Sequence, residues 1–326
     1  MTYSNHFHKR MKALSNKQIF RKDGVVDMHL HLVDFLEETE GLQALIHAMD
    51  DANVKETVIF GLPVKKKWAY YEPEKPGYYL DDNSRCYYFA ATDEIVADEY
   101  LSLTPDNRKR FSPTINGFNP TDKLAVDYVE YMYNKYDFWK GVGEVLLRHD
   151  DLTNLTNEES ARANHPAMMD VYDFCQNKGL PINLHQNVTS VGDNSEYKYL
   201  HELEHVLKNF SALPVIWAHC GVSRRVTHKQ YTDMLKPLFN RYDKLFVDLS
   251  WVVYDDVVCD VKHSPKHTWI KLIEEYPDRF MIGSDICGHF ETYCQTISRY
   301  NSLFEMLKTT TAQKVALDNA RGLWFN

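Results

Sequence analysis

Long apolar runs are missing from this chain of 326 residues. Nowhere do about 18 apolar residues follow one another, so no membrane-spanning helix is expected. The opening stretch, MTYSNHFHKRMKALSNKQIF, lacks the apolar core a signal peptide needs, and residues 1–20 read as a polar leader. The six cysteines (Cys86, Cys175, Cys220, Cys259, Cys287 and Cys294) form no CxxC pair. They read as reduced, mostly buried thiols of a cytoplasmic protein. Positive charge is scarce as well: 37 lysines and arginines face 46 aspartates and glutamates, a formal net charge of −9. The one compact basic run is Lys65-Lys66-Lys67, so nucleic acid is not expected as a partner. No GxGxxG, GxxxxGK[ST] or GxSxG occurs, which removes nucleotide-cradling loops and the serine elbow of α/β-hydrolases. Internal repeats and low-complexity linkers are absent too.

What is present is an ordinary globular composition, 44% hydrophobic and 25% charged, with tyrosine at 21 and histidine at 15. Eight short apolar runs end in small or polar residues: 24–29, 56–61, 110–115, 140–145, 180–185, 213–219, 244–250 and 279–285. Continuous apolar runs of this length fit strands buried on both faces. Amphipathic segments separate them, among them 166–178, opened by Pro166 and stopped by Gly179, 199–210 and 292–307. Alternating strands and helices predict an α/β fold, a closed (β/α)8 TIM barrel occupying residues 21–326 as one domain; such barrels need roughly 250 residues. The spacing breaks once, after the second strand. Residues 63–93 carry no periodicity and hold Tyr70, Tyr71, Tyr78, Tyr79, Tyr87 and Tyr88. This insertion reads as a long loop over the face where strands end, an aromatic lid or a contact between subunits of a homo-oligomer.

Residues able to bind metal fall at strand ends. His29 and His31 close the first run; their HxH spacing points both imidazoles to one side of a strand. Glu144 lies near the end of the fourth run, His185 ends the fifth, His219 the sixth and Asp285 the eighth. In a barrel these ends converge on one mouth, where catalytic residues of this fold collect. Imidazole and carboxylate donors suit a divalent ion, Zn²⁺ first, with Mn²⁺, Fe²⁺ or Co²⁺ also fitting. Such an ion activates water at neutral pH; Asp285 can take and return a proton, and His219 can polarise a carbonyl.

Asp27-Met28-His29-Leu30-His31 resembles the first-strand DxHxH signature of the amidohydrolase superfamily. Gly143-Glu144-Val145, Leu184-His185, Ala218-His219-Cys220-Gly221 and Gly283-Ser284-Asp285 resemble its segments at strands four, five, six and eight. With the closing Asn319-Ala320-Arg321-Gly322-Leu323, the pattern is most similar to the amidohydrolase 2 branch. That branch includes aminocarboxymuconate-semialdehyde-type decarboxylases and sugar-lactone hydrolases. The resemblance implies a (β/α)8 barrel holding one or two divalent ions, with His29, His31, His185 and Asp285 as ligands. It makes His219 a catalytic group or a ligand of a second ion. Glu144 stands where some members place a bridging carboxylate, and no lysine aligns there to form a carbamylated bridge.

The expected activity is hydrolysis of a small molecule, a lactone, ester or amide. Non-oxidative decarboxylation of an aromatic or enoic acid is the alternative, and a non-enzymatic barrel that binds a ligand or metal is a third. A carboxylate on the substrate would be gripped by Arg148 and Arg225, which follow the fourth and sixth strands. His201-Glu202-Leu203-Glu204-His205 matches the HExxH metalloprotease pattern. It falls on the helix after strand five, whose leucines already define the buried side, and reads as a polar outer face.

Overall fold

The apolar runs become strands in a computed structural model, which describes residues 23–67, 86–149, 152, 159–189, 197–223 and 231–326. In chain order these are β1 (Val25–His31), β2 (Val54–Phe60), β3 (Val64–Lys66), β4 (Cys86–Tyr88), β5 (Phe111–Ile115), β6 (Gly141–Leu147), β7 (Ile182–Gln186), β8 (Val215–Trp217), β9 (Leu245–Asp248), β10 (Phe280–Met281) and β11 (Ile286–Cys287). β3 and β4 form a separate antiparallel pair. The others lie side by side as β10-β9-β8-β7-β6-β5-β2-β1-β11. Every pairing between them is parallel. All seven residues of β1 and of β6 are buried, as strands covered on both faces require.

The eighth strand of the sequence reading is not continuous. Within that run, 279–285, only β10 is strand and pairs with β9, while β11 lies just past its end and pairs with β1. Between β10 and β11, Met28 donates its N–H to the Ile282 carbonyl at 3.0 Å and Asp285 donates to the His29 carbonyl at 2.8 Å. The passage 280–287 therefore joins both ends of the sheet and closes a (β/α)8 TIM barrel. The break has a cause in Gly283: a Cβ there would lie 2.5 Å from the Cβ of His29, so only glycine lets the chain cross so close to β1. Asp27 clips the same seam, accepting from Ser284 N at 2.9 Å and from the Tyr293 hydroxyl at 2.9 Å.

Helices cover the barrel where apolar stripes were read. Pro166–Lys178 begins on its proline and ends at Gly179 in the left-handed region, φ 69°. Residues 292–307, expected as one helix, divide into Tyr293–Ser298 and Asn301–Met306. At the break the Tyr300 hydroxyl reaches the Leu249 and Gly283 carbonyls at 2.6 and 2.8 Å, a tertiary demand that the periodicity does not reveal. The closing Asn-Ala-Arg-Gly-Leu segment is structural. Asn319 Nδ2 donates to the carbonyls of Pro277 and Phe280, both at 2.8 Å, and Arg321 pairs with Glu56 on β2.

The insertion after β2 is not loop throughout: its described ends are the β3–β4 hairpin. Strands of three residues are too short to leave a period in sequence. Val64 and Cys86 of the hairpin join Val33, Leu62, Leu146 and Leu152 in a second hydrophobic cluster, with Phe35 and Tyr88 packed against it. Tyr70, Tyr71, Tyr78 and Tyr79 lie outside the described residues, as does the leader. No described helix is long and apolar enough to cross a membrane.

Candidate metal centre

The backbone turns sharply where the strands stop. Arg148, His219, Cys220, Trp251 and Asp285 have φ of 45°, 55°, 52°, 54° and 54°. Left-handed backbone at residues other than glycine costs about 1–3 kcal/mol each and gathers where function needs a particular aim. Here Arg148 and Trp251 follow the strands that carry Glu144 and Asp248, and His219 and Asp285 are themselves residues of the site.

Four imidazoles share one arrangement. Each hydrogen-bonds through one ring nitrogen to an oxygen behind it, and each presents the other nitrogen to the barrel axis. His31 donates Nδ1–H to the Gly61 carbonyl at 2.8 Å, and His29 donates Nδ1–H to Asp248 Oδ2 at 3.1 Å. His219 Nδ1 lies 2.8 Å from Ser250 Oγ, and the Ser250 hydroxyl donates to Asp248, so Ser250 accepts from His219. His185 places Nε2 3.1 Å from Asn187 Oδ1.

The inward nitrogens meet two carboxylates. His29 Nε2 is 3.3 Å from Asp285 Oδ1 and 3.7 Å from Glu144 Oε2. His31 Nε2 is 3.4 and 3.3 Å from the same two oxygens. On the other side of Glu144, Oε1 lies 3.1 Å from His185 Nδ1 and 3.2 Å from His219 Nε2. Nearly all of this is sealed from solvent. Neutral imidazoles would aim lone pairs at carboxylate oxygens, so the cluster requires cations in its midst, as protons or as metal.

Protons can fill that need. Burial disfavours charge on His29, but Glu144 and Asp248 outweigh it and hold its pKa well above the ordinary value. Burial is likewise outweighed at His219 by Asp248 and Glu144, which lift it to about 9. Burial opposes ionisation of Glu144, yet His29, His185 and His219 hold its carboxyl well below the usual range. Asp285 is pulled down in the same way by His29 and His31.

A divalent ion fits the donor set better. The buried His29 Nε2 has no hydrogen-bond partner. His29, His31 and Glu144 offer donors within 4.8 Å of one another, as do Glu144, His185 and His219. Glu144 thus spans two donor groups with its two oxygens. All five residues expected as ligands, His29, His31, Glu144, His185 and Asp285, come together with His219.

The two arginines expected at the substrate fare differently. Arg148 forms a two-pronged pair with Glu202 and lies over the Tyr199 ring at 4.0 Å. Arg225 is outside the described residues. Glu202 belongs to the HExxH stretch on helix Leu200–Asn209, where His201 and His205 are exposed and Glu202 is buried. Glu202 also accepts from Gln186 Nε2 at 2.9 Å, so it anchors the helix to β6 and β7. Removing one partner of a buried ion pair costs about 3–5 kcal/mol. Glu202→Ala is therefore expected to lower unfolding free energy by about 3 kcal/mol, read by urea denaturation. Replacing His201 and His205 together is expected to leave turnover and metal content unchanged; a large loss of either would restore the metalloprotease reading.

The sequence reading missed Asp248 and Ser250. Their signal was available: Asp248 ends the seventh strand, as the expected ligands lie at the ends of theirs. Asp248 is fully buried and accepts from His219 N at 3.1 Å and Ser250 N at 2.9 Å besides His29. Carboxylates that grip ligand imidazoles from behind fix their tautomer and orientation.

A cavity of about 220 Å³ opens onto the cluster, touching His31, Glu144, His185, His219 and Asp285. Its apolar walls are Phe35, Leu62, Leu146, Leu152 and Trp251. Three of them, Leu62, Leu146 and Leu152, belong to the cluster braced by the hairpin. The described root of the insertion therefore stands at the mouth.

A TIM barrel with histidines and carboxylates gathered at the C-terminal ends of its strands defines the class of protein. More specifically, the chain belongs to the amidohydrolase family, in its amidohydrolase 2 branch: the family model described as amidohydrolase matches residues 26–325. A comparison with curated proteins returned no match. Solved structures share the fold at low identity. An amidohydrolase from Burkholderia multivorans with bound zinc is 10% identical, covers 92% of this chain and 98% of its own, and has a TM-score of 0.56. Dihydroorotase from Campylobacter jejuni is 17% identical, with coverage of 92% and 82% and a TM-score of 0.53. A 2,6-dihydroxybenzoate decarboxylase, complexed with 2,6-dihydroxybenzoate, is 12% identical, with coverage of 92% and 99% and a TM-score of 0.53.

Proposed function

We propose that this protein is a metal-dependent hydrolase of a small molecule carrying a lactone, ester or amide carbonyl. The observation that supports it is the convergence of four imidazoles, each hydrogen-bonded from behind, on the oxygens of Glu144 and Asp285. His29, His31, Asp285 and Glu144 Oε2 would hold one ion, and Glu144 Oε1, His185 and His219 a second. Zinc is the first choice for such donors, with manganese, iron or cobalt also suited. When bound, the metal supplies Lewis acidity and lowers the pKa of water. Asp285 lines the cavity, where its carboxylate can accept a proton from the attacking water and return it to the leaving group. His219, its tautomer held by Ser250, can polarise the substrate carbonyl or complete the second donor group. Trp251 and the leucines of the wall exclude bulk water from the reacting centre.

The apolar walls favour a second reading, decarboxylation of an aromatic or enoic acid, in which the same groups would deliver a proton to carbon. A panel of sugar lactones, acyl amides and aromatic acids separates the two, run in oxygen-18-labelled water on protein expressed with Zn²⁺ or Mn²⁺. Label in the product is expected for the hydrolase. Release of CO₂ with no oxygen label in the organic product would replace it with the decarboxylase. Protein that holds no ion by elemental analysis, and gains no activity from added metal, would remove both.

A further inference from the structure

We propose that Cys287 is a sulfur donor to the ion held by His29, His31 and Asp285, and that it biases this centre toward zinc over manganese. The inference rests on the metal centre proposed above and adds a ligand to it.

The register of the barrel seam places the thiol. Cys287 on β11 pairs directly with His31 on β1, and Gly288 donates its N–H to the His31 carbonyl at 3.0 Å, which locks that alignment. Residues paired across neighbouring parallel strands point their side chains the same way, so the thiol stands beside the His31 imidazole. The donor atoms of His31, Asp285 and Cys287 lie within 4.8 Å of one another. Two donors about 2.1 and 2.3 Å from one ion stand roughly 3.6 Å apart in tetrahedral geometry, a separation inside the 4.8 Å within which these three donors lie. Cys287 also lines the cavity.

An independent feature marks the same spot. His29 Nε2 is wholly buried, has no hydrogen-bond partner, and lies 3.3 Å from the Asp285 oxygen that His31 also faces. Without the sulfur, this group is built from imidazole and carboxylate, which manganese accepts readily. A thiolate is a soft ligand that favours zinc. Binding would deprotonate the thiol, releasing its proton to solvent as the sulfur–metal bond forms.

Cobalt reports the bond directly. Wild-type protein stripped with a chelator and titrated with Co²⁺ is expected to show a near-ultraviolet sulfur-to-cobalt charge-transfer band. Cys287→Ser, which preserves size, should bind Co²⁺ without that band. In competition titrations Cys287→Ser should lose about tenfold in Zn²⁺ affinity, about 1.4 kcal/mol, with a clearly smaller change for Mn²⁺. An ion bound to wild-type protein with no sulfur band would overturn this inference and leave the metal centre standing. A band that persists in Cys287→Ser would assign the sulfur elsewhere and overturn it too. Failure of wild-type protein to bind any ion would remove the inference together with the centre. Absence of the band from wild-type protein overturns the inference even if Cys287→Ser folds poorly, and Cys287→Ala then carries the assignment.

Discussion

Asp285→Asn is expected to cut turnover by about 10²–10⁴-fold, the usual worth of a positioned proton-transfer group, on whichever panel compound the wild-type protein converts. The substitution removes both the charge facing His29 and His31 and the capacity to take a proton. It should do little to the fold. Asparagine tolerates the left-handed backbone found at this position, φ 54°, better than most residues. The bond from the backbone N–H of residue 285 to the His29 carbonyl needs no side chain. Turnover and circular dichroism measured on the same preparation test the claim. Near-normal turnover in a folded variant would end the role assigned to Asp285.

Asp248→Asn should act on the metal without touching it. An amide cannot offer acceptors to His29 Nδ1 and to Ser250 and His219 N at once. Turning its NH₂ toward His29 sets donor against donor, and the imidazole then moves its proton to the nitrogen that faces the ion. Loss of such a supporting carboxylate costs about 10–100-fold in metal affinity, read here by equilibrium dialysis against Zn²⁺. Asp248→Ala should in addition cost the ion-free protein about 3–5 kcal/mol, because buried imidazoles lose their counter-charge.

That penalty should follow pH with a definite sign. In the folded protein, burial acts against the Asp248 charge, but His29 and His219 outweigh it and hold its pKa below the ordinary 3.8. Its stabilisation is present above about pH 3.8 and fades as pH falls further. His219 is raised from 6.5 to about 9, so its share is complete below pH 6.5 and is lost as pH rises through 9. The gap between wild type and Asp248→Ala in urea unfolding should therefore be widest between about pH 4 and 6.5. A gap that grows steadily to pH 10 would contradict this account.

Strand order and most residues of the candidate site were legible because a barrel strand carries its signal locally. A run of buried residues ending in histidine or carboxylate states both the strand and the face on which its last side chain emerges. HxH, the lone His185 and the Glu144 segment needed nothing more. The HExxH stretch shows the limit of such reading. Its letters suit a metal site, but its histidines face solvent and Glu202 faces inward to Arg148 and Gln186. Arg148 illustrates the same limit from the other side: its place after a strand was clear, and its partner on a helix about fifty residues onward was not.

By itself the sequence determined the class of fold, the family, and the six residues that gather at the mouth, since each rests on short-range pattern and on residue chemistry. Only the tertiary structure decided how those residues face one another. That Glu144 turns one oxygen to each donor group, that Asp248 and Ser250 grip the imidazoles from behind, and that Cys287 stands beside His31 all depend on closure of the barrel. Closure brings the first and last strands together from opposite ends of the chain, and no local periodicity records the register in which they meet.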